Sequence, residues 1–398
     1  MGWKSRRFNL RKPIDMSKPR KYFQLILCYI LMLFGSMAVR AEKAIEPTAQ
    51  LLENWFGEIE KTPVPFDSCF HATYPETTWT RVECGVGTGK SFRNSFLAIR
   101  PQYSEKNQIL SSDRVLSDNN TIQTVGGGGP TDWLAYGTNL PTSFSNGERI
   151  GATGAFTVVS GVTTEFDVSG GTHRYNDYSV QLNSNYFPTP ACNNIPGCLG
   201  WEQFVYSSGL QKLLIQFWLI NYSGSCPGGW TSVAGAGCYK DSPSVFVPTL
   251  AATGLGTLSM SALSSGSTSV RGTLATSVIL RIGNDAYFTY DDQIDTLGLT
   301  PNWDLAEFNI FGDGSNAPQA IFNPGSSITV YTSLYSGLYI PNIPPSPSTA
   351  VDSCAKISTT GETNNLNLGA CTATPSGYIM TPRGFAPRDS FISFTESN

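Results

Sequence analysis

The chain has 398 residues, with 26 Lys and Arg against 30 Asp and Glu, a formal net charge of −4 and 40% hydrophobic residues. The first 41 residues hold nine of the basic side chains and one acid, so the remainder carries 17 basic and 29 acidic residues, a net of −12. A surface of that sign repels nucleic acid and anionic membranes, and the reading excludes both as partners.

The N-terminal stretch reads as a secretory signal. Eight basic side chains lie between Lys4 and Lys21, an apolar run follows from Leu25 to Phe34, and Ala38-Val39-Arg40-Ala41 offers a small-residue cleavage site. Met16 opens a segment with ordinary signal-peptide proportions and is the favoured start. The apolar run is shorter than the roughly 20 residues a membrane span needs, which favours cleavage after Ala41 over retention.

With Cys28 in the signal, eight cysteines remain: Cys69, Cys84, Cys192, Cys198, Cys226, Cys238, Cys354 and Cys371. An even count in an exported chain implies disulfides, and clustering into four local couples favours 69–84, 192–198, 226–238 and 354–371. Neither CxxC spacing nor more than two histidines is available for zinc, and neither metal nor cofactor is expected. Asn119 and Asn221 fit the glycosylation pattern.

In chain order, TAQLLENWFGEIEK after Pro47 places Leu51, Leu52, Trp55, Phe56 and Ile59 at helical spacing. Residues 125–147 are rich in Gly, Pro, Ser and Asn and read as a linker or long loop. From Ile150 the text becomes short alternating runs, among them AFTVVSG, TTEFDVSG, YSVQLNSNYF, WEQFVYS, LLIQFWLINY, TLSMSAL, TSVILRIG, AYFTYDD, WDLAEFNIF, SSITVYTSL and DSFISFTES. These predict an all-β fold, an antiparallel β-sandwich or jelly roll stabilised by disulfides. The expected division is 1–41 signal, 42–147 helix, mixed segment and linker as a candidate pro-region, and 148–398 sandwich domain.

Three stretches bear on chemistry. CGVGTGKS, Cys84 to Ser91, resembles a phosphate-binding loop but has Cys84 where the motif needs glycine. His71 and His173 lack a nucleophile motif beside them and read as loop residues. The third is a set of polar and aromatic side chains on strands, where alternation decides which share a face. Gln181 and Asn183 point opposite to Tyr178, Val180 and Leu182; Trp201 and Gln203 point opposite to Glu202, Phe204 and Tyr206. Gln216 and Trp218 lie off the Leu213, Ile215, Phe217 core face, and Trp303, Glu307 and Asn309 share a side. A polar sheet face is what any sandwich turns to water. Yet amides and aromatics rather than Lys and Glu dominate this one, which suits a polypeptide or polysaccharide substrate.

The order of SVQLNSNYF, GWEQFVY and LAEFNIF resembles the glutamic peptidases of the eqolisin type, acid-active secreted endopeptidases built as β-sandwiches. The resemblance implies Gln181 as the catalytic Gln and Glu307 as the catalytic Glu. It places Trp201 and Glu202 in the intervening segment, and with Gln203, Gln216, Trp218, Asn183 and Trp303 from the polar strands these are the expected substrate-binding residues. The alternative is a non-catalytic carbohydrate-binding or structural exported protein, motivated by Trp201, Trp218 and Trp303 with their neighbouring amides.

Overall fold

The computed structural model describes residues 47–398 apart from 63, 65–67, 93–130, 138–147, 170–171, 266–275, 292, 294, 314–318, 339–352, 359–362, 376, 382–383 and 389. The signal segment, Asn119 and most of the expected linker lie outside the described residues. From Ala49 onward the chain forms one compact unit.

Helix α1 (Ala49–Lys61) is followed by β1 (Cys69–Thr73), β2 (Thr80–Val82), β3 (Thr131–Tyr136) and β4 (Glu148–Ser160). Then come β5 (Glu165–Ser169), β6 (Thr172–Tyr175), β7 (Tyr178–Ser184), β8 (Leu199–Ser207) and β9 (Lys212–Ile220). Short strands β10 (Thr231–Val233), β11 (Gly237–Asp241) and β12 (Val245–Phe246) lead to β13 (Leu258–Ser264), β14 (Ser277–Ile282) and β15 (Asp285–Tyr290). The remainder is β16 (Leu305–Gly312), β17 (Gln319–Phe322), β18 (Ser327–Leu338), β19 (Ser353–Ser358), β20 (Thr363–Asn364), β21 (Asn367–Thr374), β22 (Gly377–Thr381), β23 (Gly384–Arg388) and β24 (Phe391–Ser397). All eleven runs predicted from alternation are strands.

Two large antiparallel sheets result. One runs β2-β1-β15-β14-β13-β4-β18-β24-β21, the other β10-β11-β9-β8-β7-β16-β3-β19 with β12 beside β9. Their apolar sides meet in one core that holds Phe156, Met260, Leu280 and Val330 of the first sheet and Leu182, Phe204, Phe217 and Phe308 of the second. Contact is close at Gly154, where a Cβ would overlap the Phe308 ring. Phe308 also lies against Phe156 at 4.9 Å between centroids. The protein is thus a β-sandwich, and the four disulfides join Cys69–Cys84, Cys192–Cys198, Cys226–Cys238 and Cys354–Cys371.

The sandwich is not confined to residues 148–398. Trp55, Phe56 and Ile59 of α1 pack on Phe70, Ile279, Phe288 and Tyr290, the outer side of the first sheet. Strand β3 pairs with β16 on one side and β19 on the other, so part of the stretch read as linker is an interior strand. Glycine and proline on both flanks of TDWLAY hide it, because six residues between turn signals are too few to show a period. His71 and His173 also sit on strands, β1 and β6, rather than in loops. His71 stacks on Tyr287 and bonds Asp285 at 2.9 Å, and His173 stacks on Phe166.

Candidate functional site

In an antiparallel ladder, directly opposed residues point to the same side. Asn183 opposes both Gln203 and Glu307, Gln203 opposes Gln216, and Trp201 opposes Trp218. Four strands, β16-β7-β8-β9, therefore bring Glu307, Asn183, Gln203, Gln216 and the two tryptophans onto the face turned away from the core, with Gln181 two residues before Asn183 on the same side.

Apart from Trp201, whose Nε1 donates to Ser184 O (2.9 Å), these side chains form a continuous chain of hydrogen bonds. Gln181 Nε2 donates to Ser179 Oγ (2.9 Å), and Gln181 Oε1 accepts from Gln203 Nε2 (2.7 Å). Trp218 Nε1 donates to Gln203 Oε1 (2.8 Å) and Gln216 Oε1 (3.0 Å). At the other end Asn183 Nδ2 reaches Glu307 Oε2 at 2.8 Å and Gln181 Oε1 at 3.4 Å. All of these groups are buried. In a low-dielectric setting such a network fixes each amide's orientation, since any flip strands a buried polar atom.

Glu307 is the polar end of this chain. Burial pushes its carboxyl up to about 7, with the Asn183 hydrogen bond opposing the shift. Its second oxygen, Oε1, and Asn183 Oδ1 accept no hydrogen bond. Two acceptors left open on a hydrogen-bonded pair of buried side chains are chemically expensive and are the atoms to which water or a substrate donor would bind.

Two further carboxyls stand beside Glu307 that sequence reasoning did not select. Asn309 Nδ2 donates to Asp132 Oδ2 (2.8 Å) and to Glu396 Oε1 (2.6 Å), while Asn364 Nδ2 donates to Glu396 Oε2 (3.0 Å). Burial, then the nearby charges of Glu396 and Glu307, raise Asp132 well above the carboxylate range. Burial lifts Glu396 to about 7. Three neighbouring acids cannot all ionise cheaply, so the cluster holds protons at a pH where exposed carboxyls have lost them. One signal for Glu396 was present: Ile392 and Phe394 alternate inward in FISFTES, and Glu396 is the next inward position.

Two predicted members fall elsewhere. Glu202 lies opposite Phe217 on the core side of β8, as alternation required, and both its carboxyl oxygens lack hydrogen bonds. Burial, then Asp295 and Asp291, raise its acid form well above the usual range. Trp303 precedes β16 rather than belonging to it, at the end of a short 3-10 turn (Thr300–Asn302). Its ring enters the core and stacks on Phe204, with Nε1 donating to Leu305 O. Trp201 and Trp218 do lie on the polar face, but they pack with Ile220, Ala236 and Tyr239 as a closed cluster. Trp201, Trp218 and Trp303 are each at most 3% exposed.

A segment of the chain's own N-terminal region lies over this face. Gln216 Oε1 accepts from Phe92 N (3.0 Å) and Gln216 Nε2 donates to Lys90 O (3.0 Å). Asp241, which also accepts from Gln216 Nε2, takes the N–H and hydroxyl of Thr88. The stretch that resembled a phosphate loop is therefore a strap held by the sheet. Among the described residues no cluster of His, Cys, Asp and Glu is arranged to hold a metal ion. Compared with protein-family models, with curated proteins and with solved structures, the chain matches none.

Proposed function

We propose that the chain is an exported β-sandwich hydrolase, a glutamic-type endopeptidase in which Glu307 activates water and Gln181 stabilises the oxyanion. The observation that carries the reading is the Gln181–Asn183–Glu307 arrangement: two residues from adjacent strands joined through one amide, with Glu307 Oε1 left open as an acceptor. A carboxylate with an open oxygen can take a proton from water as the water attacks a peptide carbonyl, then return it to the leaving amine. An amide N–H on the same face lowers the energy of the developing oxyanion. Export belongs to the same proposal, supported by the basic and apolar N-terminal stretch and by four disulfides, which persist in oxidising compartments.

The protonation state sets a condition. With Glu307 near 7, the base form at pH 5 is about one part in a hundred. Burial is the first cause of that shift, so uncovering the face and hydrating Glu307 lowers the carboxyl and restores the base at acidic pH. A carbohydrate-stacking role has less support, because it needs exposed rings and Trp201, Trp218 and Trp303 are buried.

The test is cleavage of a denatured protein from pH 3 to 8 by the parent chain, Glu307→Gln and Gln181→Ala. The expected result is cleavage by the parent and at least a hundredfold loss in Glu307→Gln. Absence of cleavage at every pH, or equal rates in all three, refutes the proposal.

A further inference from the structure

The way Lys90-Ser91-Phe92 is held differs from ordinary loop packing. Gln216, on the polar face of β9, is oriented by Trp218 Nε1 (3.0 Å) and Asp241 Oδ1 (2.7 Å) and turns its carboxamide to main-chain atoms as well: it donates to the carbonyl of Lys90 and accepts from the N–H of Phe92, both at 3.0 Å. An extended peptide presents the carbonyl of one residue and the N–H two residues later on one side, so this recognition is available to any peptide. The side chains are read separately. Lys90 Nζ reaches Asp313 Oδ2 at 2.7 Å, and that carboxyl is itself buried and takes Ser207 Oγ at 2.6 Å on its other oxygen. Phe92 is fully buried against Val205 and Leu214, which project from β8 and β9 on the same side as Gln203 and Gln216.

We propose that this part of the polar face is a peptide-binding subsite for a basic residue followed two positions later by an aromatic one, and that Lys90-Ser91-Phe92 occupies it in cis as a pseudosubstrate. The subsite has three parts with separate chemistry: a carboxamide that pairs with backbone, an acid that neutralises a cation, and an apolar seat for a ring. Cys69–Cys84 tethers the segment just upstream, keeping its local concentration high. Loss of the strap exposes the subsite to a peptide in trans. The assignment of a substrate class rests on the reading of this face as the substrate face of a peptidase; the binding itself does not need catalysis.

The experiment uses the full chain with Glu307→Gln, so that no turnover occurs, and a fluorescent peptide Thr-Gly-Lys-Ser-Phe-Arg read by anisotropy. Lys90→Glu with Phe92→Ala empties the subsite; Lys90→Glu alone, which sets two carboxyls against each other, serves if the double variant lacks a cooperative melt. Saturable binding is expected, weakened at least tenfold when the peptide's Lys becomes Glu or its Phe becomes Ala, and at least tenfold by adding Gln216→Ala to the protein. No saturable binding to a folded strap variant, or equal binding of a scrambled peptide, overturns the inference. Binding without cleavage by the strap variant that keeps Glu307 removes the peptidase reading alone; cleavage without this binding removes the subsite alone.

Discussion

Asn183 Nδ2 donates to Glu307 Oε2 at 2.8 Å across the β7–β16 ladder, the only hydrogen bond to the Glu307 carboxyl among the described residues. It opposes the burial that lifts Glu307 to about 7. Asn183→Ala removes that opposition, so Glu307 should titrate higher still. The limb of the pH profile that reports the base should move upward by about one unit, the size of shift expected from one hydrogen bond of about 1.4 kcal/mol. An unmoved limb would show that Glu307 is not the titrating group.

The polar face was readable strand by strand because a period of two sets Gln181 with Asn183, Gln203 with Trp201 and Gln216 with Trp218; the register of β7, β8 and β9 then puts the three pairs on one side. The disulfides were readable because each couple is close in sequence. Asp132 and Glu396 were not, since their meeting depends on β3 inserting beside β16 and on β24 pairing with β18, pairings of residues far apart in the chain. Trp303 was misplaced for a local reason: alternation was carried two residues too far back, past Leu305 where β16 begins and into a turn. The strap was hidden because glycine-rich spacing says nothing about what a loop lies upon.

Folding stability should fall as pH rises. Glu165 stands at about 9, Glu307 and Glu396 at about 7, all raised mainly by burial. The folded form therefore binds more protons than the unfolded chain once pH exceeds the ordinary glutamate value near 4.5. Each such group favours folding fully below that value, and its contribution is lost as pH climbs through the folded-state value. The melting temperature should be at least ~5 °C higher at pH 4.5 than at pH 8. Scanning calorimetry showing a maximum at or above pH 8 would contradict this.

Cys354–Cys371 joins β19, the edge of one sheet, to β21, the edge of the other, across a separation of 17 residues. Chain-entropy arguments give a loop of that size about 3 kcal/mol. Replacing both cysteines by serine should lower urea-unfolding stability by that order while leaving β-sheet circular dichroism intact. A loss far below 1 kcal/mol would show that the two edges hold together without the bridge.

Glu202 offers the sharpest test of the core's electrostatics. Its carboxyl sits between the sheets on the Phe204 and Tyr206 side, with neither oxygen hydrogen-bonded, and burial together with Asp295 and Asp291 favours the protonated form. Glu202→Met keeps the shape and removes the ionisable group. In the parent chain the unfolded state gains from ionising Glu202 above pH 4.5, about 1.4 kcal/mol per unit while the folded group stays protonated. The variant lacks that penalty. It should therefore melt higher than the parent at pH 7, by ~4 °C or more, with a smaller difference at pH 4. A difference independent of pH would mean that packing alone, rather than the stranded carboxyl, distinguishes the two chains.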